Sequence, residues 1–175
     1  MAAPQINAAL ILREISFYRI LVYMKQSRIM KERVRRVKVL MAELGYQIVD
    51  PEERDGTYTA GLQDEAGFQA GFYIDEESRF LEIAFSFTFS PSLAGFLRGR
   101  MEDVLRLCYE YGSYFNLQHM KKETTLTIFT KIYFVGLGYH ALKETLRDFR
   151  ENIGALRELV EIKSENKKGD IHGDS

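Results

Sequence analysis

The side chains in this sequence that could do chemistry are few and scattered. Its histidines are His119, His140 and His172 and its one cysteine is Cys108. No pair of them stands at a metal-ligand spacing such as CxxC or HExxH. Cys108 falls on an apolar helical stripe, whereas a nucleophilic thiol needs an accessible, electropositive setting. His119 reads as a hairpin-strand residue and His140 as part of the first turn of a helix. Acids gather at Asp50, Glu52 and Glu53, at Asp64 and Glu65, and at Asp75, Glu76 and Glu77. Paired carboxylates can move protons or bind a hard cation, but each group lies in a predicted turn, where solvated acids are common. Gly136-x-Gly138-x-x-Ala141 has the outline of a dinucleotide fingerprint, whose glycines would let a pyrophosphate approach a helix N-terminus. Its context is that of a strand-end turn: the strands before it read as antiparallel hairpins, and no strand carrying an acid for a ribose follows. No catalytic residue, no metal ligand and no cofactor is therefore expected.

Two surfaces offer binding instead. In KQSRIMKERVRRVK, from Lys25 to Lys38, seven basic residues are opposed by Glu32 alone. On a helix whose apolar stripe is buried, Arg28, Arg33, Arg35, Arg36 and Lys38 would form a basic outer surface able to track nucleic-acid phosphates or acidic membrane headgroups. The other reading of the same charges is a solvated face of surface ion pairs. The second surface is a sheet face on which Tyr73, Phe129 and Tyr133 are interspersed with Thr, Ser, Ala and Gly. Aromatic anchors on a flat, lightly polar surface suit a protein partner or self-association. The alternative is that the N-terminal part of the chain covers them, because its own apolar stripe must also be buried.

These residues have to be positioned by elements, and the strongest element is FLEIAFSFTFS, Phe80 to Ser90. Leu81, Ile83, Phe85, Phe87 and Phe89 alternate with Glu82, Ala84, Ser86, Thr88 and Ser90, the period of two of a half-buried strand. Burying each large side chain contributes about 1.5 to 3 kcal/mol before entropy is subtracted, which predicts this strand at the centre of a sheet. Before it, Tyr58, Ala60 and Leu62 and then Phe68, Ala70, Phe72 and Ile74 alternate in the same way, joined by the short turns Asp64 to Gly67 and Asp75 to Ser78. That spacing predicts an antiparallel meander of three strands. Upstream, apolar stripes predict helix from Asn7 to about Leu44, closed by Gly45, with Asp50-Pro51 marking a turn. Downstream, Ser90-Pro91 opens a helix that Gly112 closes, with Ser90 as its cap. A second hairpin follows, Phe115 to Met120 and Thr124 to Phe134, and then a last helix from Tyr139 to about Ile162.

The predicted architecture is α+β: a five-stranded antiparallel sheet with helices on one face, in the order α-βββ-α-ββ-α, plus an N-terminal helical extension. Residues 1–29 form the extension, 30–162 the domain and 163–175 a polar, flexible tail. With 175 residues, 46% of them hydrophobic and 28% charged, the chain has the size of one domain with a sizeable core. A formal net charge of -1 gives no global field favouring nucleic acid or anionic membrane. The first apolar stretch is interrupted by Arg13, Glu14 and Arg19, so it reads as neither membrane span nor signal peptide. The lone cysteine suits a reducing compartment, and a cytoplasmic protein is expected.

VKVLMAELGYQIVD, the meander ending in LEIAFSFTF, the middle helix, the Phe115-Asn116-Leu117 entry to the second hairpin and the closing helix resemble, from about Met30 to Glu161, the YbjN-like group of bacterial proteins. That group shares the type III secretion chaperone-like fold. The resemblance implies a small binding module or regulatory accessory protein, often a homodimer, with no active site to transfer. The expected function is a non-enzymatic protein-interaction module that meets its partner through a sheet or helix surface. The alternative is an anionic-surface binder working through the Lys25 to Lys38 helix.

Overall fold

Alternating side chains build the middle of the fold, and periodic ones roof it. The computed structural model describes residues 28–169, with side chains as far as Val160. A helix over 28–43 (α1) leads into four strands: β1, Gln47–Arg54; β2, Thr57–Gln63; β3, Gln69–Asp75; and β4, Phe80–Phe89. A 3-10 turn at Pro91–Leu93, the short α2 at Ala94–Arg98 and α3 at Met101–Glu110 come next. The hairpin β5, Tyr114–His119, and β6, Thr124–Tyr133, precedes α4 at Tyr139–Gly169. All neighbouring strands are antiparallel, in the spatial order β1-β2-β3-β4-β6-β5.

β4 lies between β3 and β6, as its alternation predicts. It pairs with β6 along its whole length, from Phe80↔Tyr133 to Phe89↔Thr124. Its pairing with β3 stops at Gly71↔Ala84. Leu81 and Ile83, flanked on both sides, are fully buried, whereas Phe85, Phe87 and Phe89, with one neighbouring strand, are only half-buried. Those rings pack on one another, with Phe85 to Phe87 at 4.9 Å and Phe87 to Phe89 at 6.2 Å between centroids. On the same face of the sheet, Leu62, Phe72, Ile74, Leu126 and Ile128 join Met30, Val37 and Met41 of α1, Val104 and Cys108 of α3 and Leu142, Phe149 and Leu156 of α4 in one core.

Several sequence expectations need correction. The sheet has six strands rather than five, and four of them precede the middle helices, because β1 carries no alternation: most of QIVDPEER is exposed. Asp50-Pro51 is not a turn between elements but a bulge within β1. The register passes from Val49↔Gly61 to Glu52↔Thr59, one extra residue on the β1 side, and Asp50 takes φ 48. The middle helix is broken at Gly99-Arg100 into α2 and α3. Ser90 precedes the 3-10 turn but makes no side-chain cap bond; its hydroxyl lies 2.8 Å from that of Ser92. The last helix continues in its backbone to Gly169, past Ile162. Residues 28 and 29, assigned to the extension, belong to α1, while 1–27 and 170–175 lie outside the described residues.

One glycine in the sheet is required by contact. A Cβ at Gly61 would stand 2.6 Å from Cγ2 of Val49, whereas at Gly71, its cross-strand neighbour, the nearest atom would be 3.9 Å away. Gly61→Ala should lower the urea unfolding free energy by about 1 to 3 kcal/mol through overpacking. Gly71→Ala should leave it unchanged or raise it by up to about 1 kcal/mol, since alanine loses less conformational freedom on folding than glycine. Equal losses in the two variants would contradict this assignment.

Candidate functional site

The sheet has a second face, opposite the helices, and β4 places Phe80, Glu82, Ala84, Ser86 and Thr88 on it. The registers then fix their neighbours. Glu82 stands between Tyr73 of β3 and Lys131 of β6, Ala84 between Gly71 and Phe129, and Phe80 opposite Tyr133. Tyr114 of β5 is opposite Phe129. The three residues expected to bind a partner, Tyr73, Phe129 and Tyr133, therefore share this face, with Glu82 at the centre of the group. Sequence reasoning did not single out Glu82, Tyr114, Lys131 or Phe80.

Glu82 is 6% exposed, the one charged residue among the buried residues described. A carboxylate so placed needs donors, because an unsolvated charge is costly. The Tyr114 hydroxyl donates to Oε2 of Glu82, and the Tyr73 phenol, on the residue paired with Glu82 across the strands, lies beside the same carboxylate. Burial, reinforced by Glu82, pushes the Tyr73 phenol up to about 12, and the Tyr114 phenol is raised for the same reasons. Both phenols are thus protonated at neutral pH. Above them, the Lys131 ammonium lies 5.3 Å from the Phe80 ring centroid and 5.6 Å from that of Tyr114. Tyr114 stacks on Phe129 at 5.3 Å, and Phe80 meets the Tyr133 ring edge-on at 5.9 Å. Tyr133 remains 54% exposed and Tyr114 37%, beside a low floor of Gly71 and Ala84.

The basic helix divides its charges: Arg28, Lys31, Arg35, Arg36 and Lys38 are exposed, and Arg33 is half-buried. Arg33 points inward, donating to the carbonyls of Glu76 at 3.1 Å and Asp75 at 3.4 Å, with its guanidinium 4.5 Å from the Phe134 ring centroid. Desolvation lowers its pKa, partly countered by Asp75 and Glu76. Arg36 donates to the Leu137 carbonyl, and Lys38 lies 5.1 Å from the Tyr58 ring centroid. Arg35 forms an exposed pair with Glu32 at 3.0 Å, and Arg28 is exposed. Lys25 lies outside the described residues.

The other candidates serve the fold. Asp75 Oδ1 accepts from the amides of Glu77 at 2.8 Å and Ser78 at 3.1 Å, and Asp64 Oδ1 from that of Phe68 at 2.8 Å, so these acids tie turns. In the Gly136-x-Gly138 segment, Leu137 is buried and its carbonyl is the one bound by Arg36, which makes the segment a pinned turn. Cys108 is buried, its thiol pushed up by desolvation. His119 Nδ1 lies 3.1 Å from the Thr124 hydroxyl, and His172 falls outside the described residues. No group of three or more potential metal ligands occurs among the described residues. A cleft of about 290 Å³ between α1 and α4 is lined by Tyr46, Tyr139, Lys143, Arg147 and Arg150 among others. Its arginines are engaged, Arg147 with Glu144 and Asp148, Arg150 with Asp64.

Fold and site together define an α+β protein with an open antiparallel sheet, helices on one face and a buried-acid aromatic cluster on the other. No family model matches the chain, and no curated protein matches it. Among solved structures it is similar to an uncharacterized protein from Methanothermobacter thermautotrophicus, at 17% identity and a TM-score of 0.51, over 70% of this chain and 94% of that one. At that identity the likeness is one of fold alone. No helix among the described residues is long and apolar enough to cross a membrane.

Two measurements check this assignment of roles. Arg36→Ala should cost about 1 to 3 kcal/mol of unfolding free energy by leaving the Leu137 carbonyl without its donor, against at most about 0.5 kcal/mol for Arg35→Ala. Tyr73 has a folded pKa above its ordinary 10, so its contribution to stability is complete below pH 10 and is lost as pH rises through about 12. Phenolate absorbance should therefore show a late-ionising fraction that Glu82→Gln moves to lower pH. The fall in urea midpoint above pH 10 should be shallower in Tyr73→Phe.

Proposed function

We propose that this chain is a non-enzymatic binding module that docks a partner protein on the outer face of its sheet, through Tyr73, Phe129 and Tyr133 with Tyr114 beside them. The observation that carries this reading is the combination of half-exposed aromatic rings with a floor of Gly71 and Ala84, on a sheet face opposite the helices. Ring anchors next to a low floor give a partner both apolar area and a place to seat its own side chains. The resemblance of the sequence to YbjN-like proteins adds a homodimer to the proposal. The single buried cysteine accords with a reducing, cytoplasmic setting.

The competing reading, an anionic-surface binder, loses Arg33, which turns inward onto the Asp75 and Glu76 carbonyls, while Arg36, itself exposed, gives one nitrogen to the Leu137 carbonyl. Arg28, Arg35, Arg36 and Lys38, all exposed, are the residues it would rely on. Affinity capture from cell extract with the wild type, with Tyr133→Ala and with the double change Arg28→Glu and Arg35→Glu separates the two. A partner retained in stoichiometric amount by the wild type and the charge variant, but reduced at least about tenfold by Tyr133→Ala, is the expected result. Light scattering should give the mass of a dimer. Salt-sensitive binding to nucleic acid or acidic vesicles that vanishes in the charge variant, with capture untouched by Tyr133→Ala, would overturn the proposal.

A further inference from the structure

A buried carboxylate on the outer face of a sheet calls for a counter-charge. Glu82 is 6% exposed and accepts from the neutral Tyr114 phenol, with Tyr73 beside it on the neighbouring strand. Among the described residues it forms no ion pair. Lys131, directly across the strand, does not close on it. Its ammonium lies instead over the faces of Phe80 and Tyr114, at 5.3 and 5.6 Å. The negative faces of two rings and a shielded carboxylate thus concentrate negative potential at one point, and the Lys131 ammonium lies over those faces although its side chain is exposed. A carboxylate has about four lone-pair directions, and the Tyr114 hydroxyl takes one of them, so capacity for a charged donor is left.

We infer that the cage formed by Phe80, Glu82 and Tyr114 is a receptor for a cationic side chain of the docked protein, an arginine or lysine, which takes over the position that Lys131 holds in the unbound chain. The inference rests on the reading of the outer face as a docking surface and adds the chemistry of what docks there. Displacing Lys131 is cheap, because an exposed ammonium recovers its hydration on leaving the rings. A guanidinium suits the exchange well: it is planar, weakly hydrated, able to stack on the ring faces and able to meet a carboxylate with two donors. The aromatic stack of Tyr114 on Phe129 would form one wall of the seat, and the Gly71 and Ala84 floor would carry the incoming backbone.

The test uses the full-length chain, amide NMR spectra and N-acetyl-arginine amide as probe, with its neutral isostere N-acetyl-citrulline amide as control. Saturable shifts confined to the amides around residues 73, 82, 114 and 131, seen with arginine and not with citrulline, are expected. Lys131→Ala should tighten the probe's Kd about two- to fivefold by removing the resident competitor. Glu82→Gln should weaken it at least about tenfold. Tyr114→Phe, which keeps the ring and removes one donor, gives a second reading should Glu82→Gln disturb the sheet, and should also weaken binding. Equal shifts with citrulline, or weaker binding in Lys131→Ala, would overturn the inference. Shifts that emerge only after Arg13→Gln and Arg19→Gln would overturn it in favour of an arginine from the chain's own N-terminal part. If capture through the Tyr133 face holds while arginine fails to bind, the docking surface stands and the cation receptor falls; if arginine binds while capture fails, the reverse is true.

Discussion

β4 buries apolar side chains under the helices and one acid, Glu82, on its opposite face, and most of the structure follows from how that is done. Leu81 and Ile83 point at the helices and are fully buried, while Glu82 between them points the other way and is nearly so. Placing an acid there is tolerable only if polar partners converge on it, and they come from both sides of the strand: the Tyr73 phenol on β3, and the donor Tyr114 on β5, which reaches it across β6. The register of four strands is thereby specified twice. A slip of one residue would send the acid into the apolar core and expose Leu81 and Ile83, so hydrophobic burial and the phenol contacts select the same alignment. Where β3 ends its pairing at Ala84, that double constraint relaxes, and β4 continues as a ribbon of half-buried phenylalanines.

The charge of α1 is tied to the same end of the sheet. Arg33 holds the backbone carbonyls of the turn after β3, and Arg36 the carbonyl of Leu137 in the turn after β6. Phe134, over which Arg33 lies, follows β6 directly, and its amide bonds the Arg79 carbonyl just before β4. Two guanidiniums thus fasten the ends of β3, β4 and β6 to the helix that packs on them, beneath the cluster around Glu82. A basic run that looks like a surface for anions is in good part a set of clamps. Charge-assisted bonds to carbonyls left over at strand ends are worth more than the exposed pair of Arg35 with Glu32, which competes with water on every side.

How far the sequence exposes this arrangement depends on whether the determinants are local. Alternation in β2, β3, β4 and β6 is a property of each strand alone, so the strands, the centrality of β4 and the shared face of Tyr73, Phe129 and Tyr133 could all be read before any register was known. β1 has no such pattern. It is an edge strand kept charged and exposed, and its bulge at Asp50-Pro51 carries the same residues as a turn. Glu82 was legible as a residue of the polar face, but not as a buried one, since an acid in an alternating strand ordinarily meets water. One of the residues that shield it, Tyr114, lies outside the strand that the sequence predicts from Phe115 and is brought near by the pairing of β5 with β6. Likewise Arg33 and Arg36 find their carbonyls through contacts 42 to 101 residues away in the chain, which local periodicity does not record.

The direction of the electrostatic shifts bears on what such a face is suited to do. General acid or base catalysis near neutrality uses groups whose pKa values are moved toward 7. Here the Tyr73 and Tyr114 phenols are moved away from it, upward, and the Cys108 thiol is both buried and raised. Each is held in its protonated form, a donor or an apolar filler rather than a nucleophile. A carboxylate held by fixed phenols is likewise a preorganised acceptor, its desolvation already met in the folded chain. A partner that brings a cation to it gains the attraction without having to strip the acid of bulk water, which is the condition under which a polar group adds to affinity as well as to specificity. The rings around it supply the apolar area that a charge pair alone lacks. On the reading proposed above, this pairing of a shielded acid with exposed aromatic edges, on the side of the sheet away from the helices, is what a docked partner recognises.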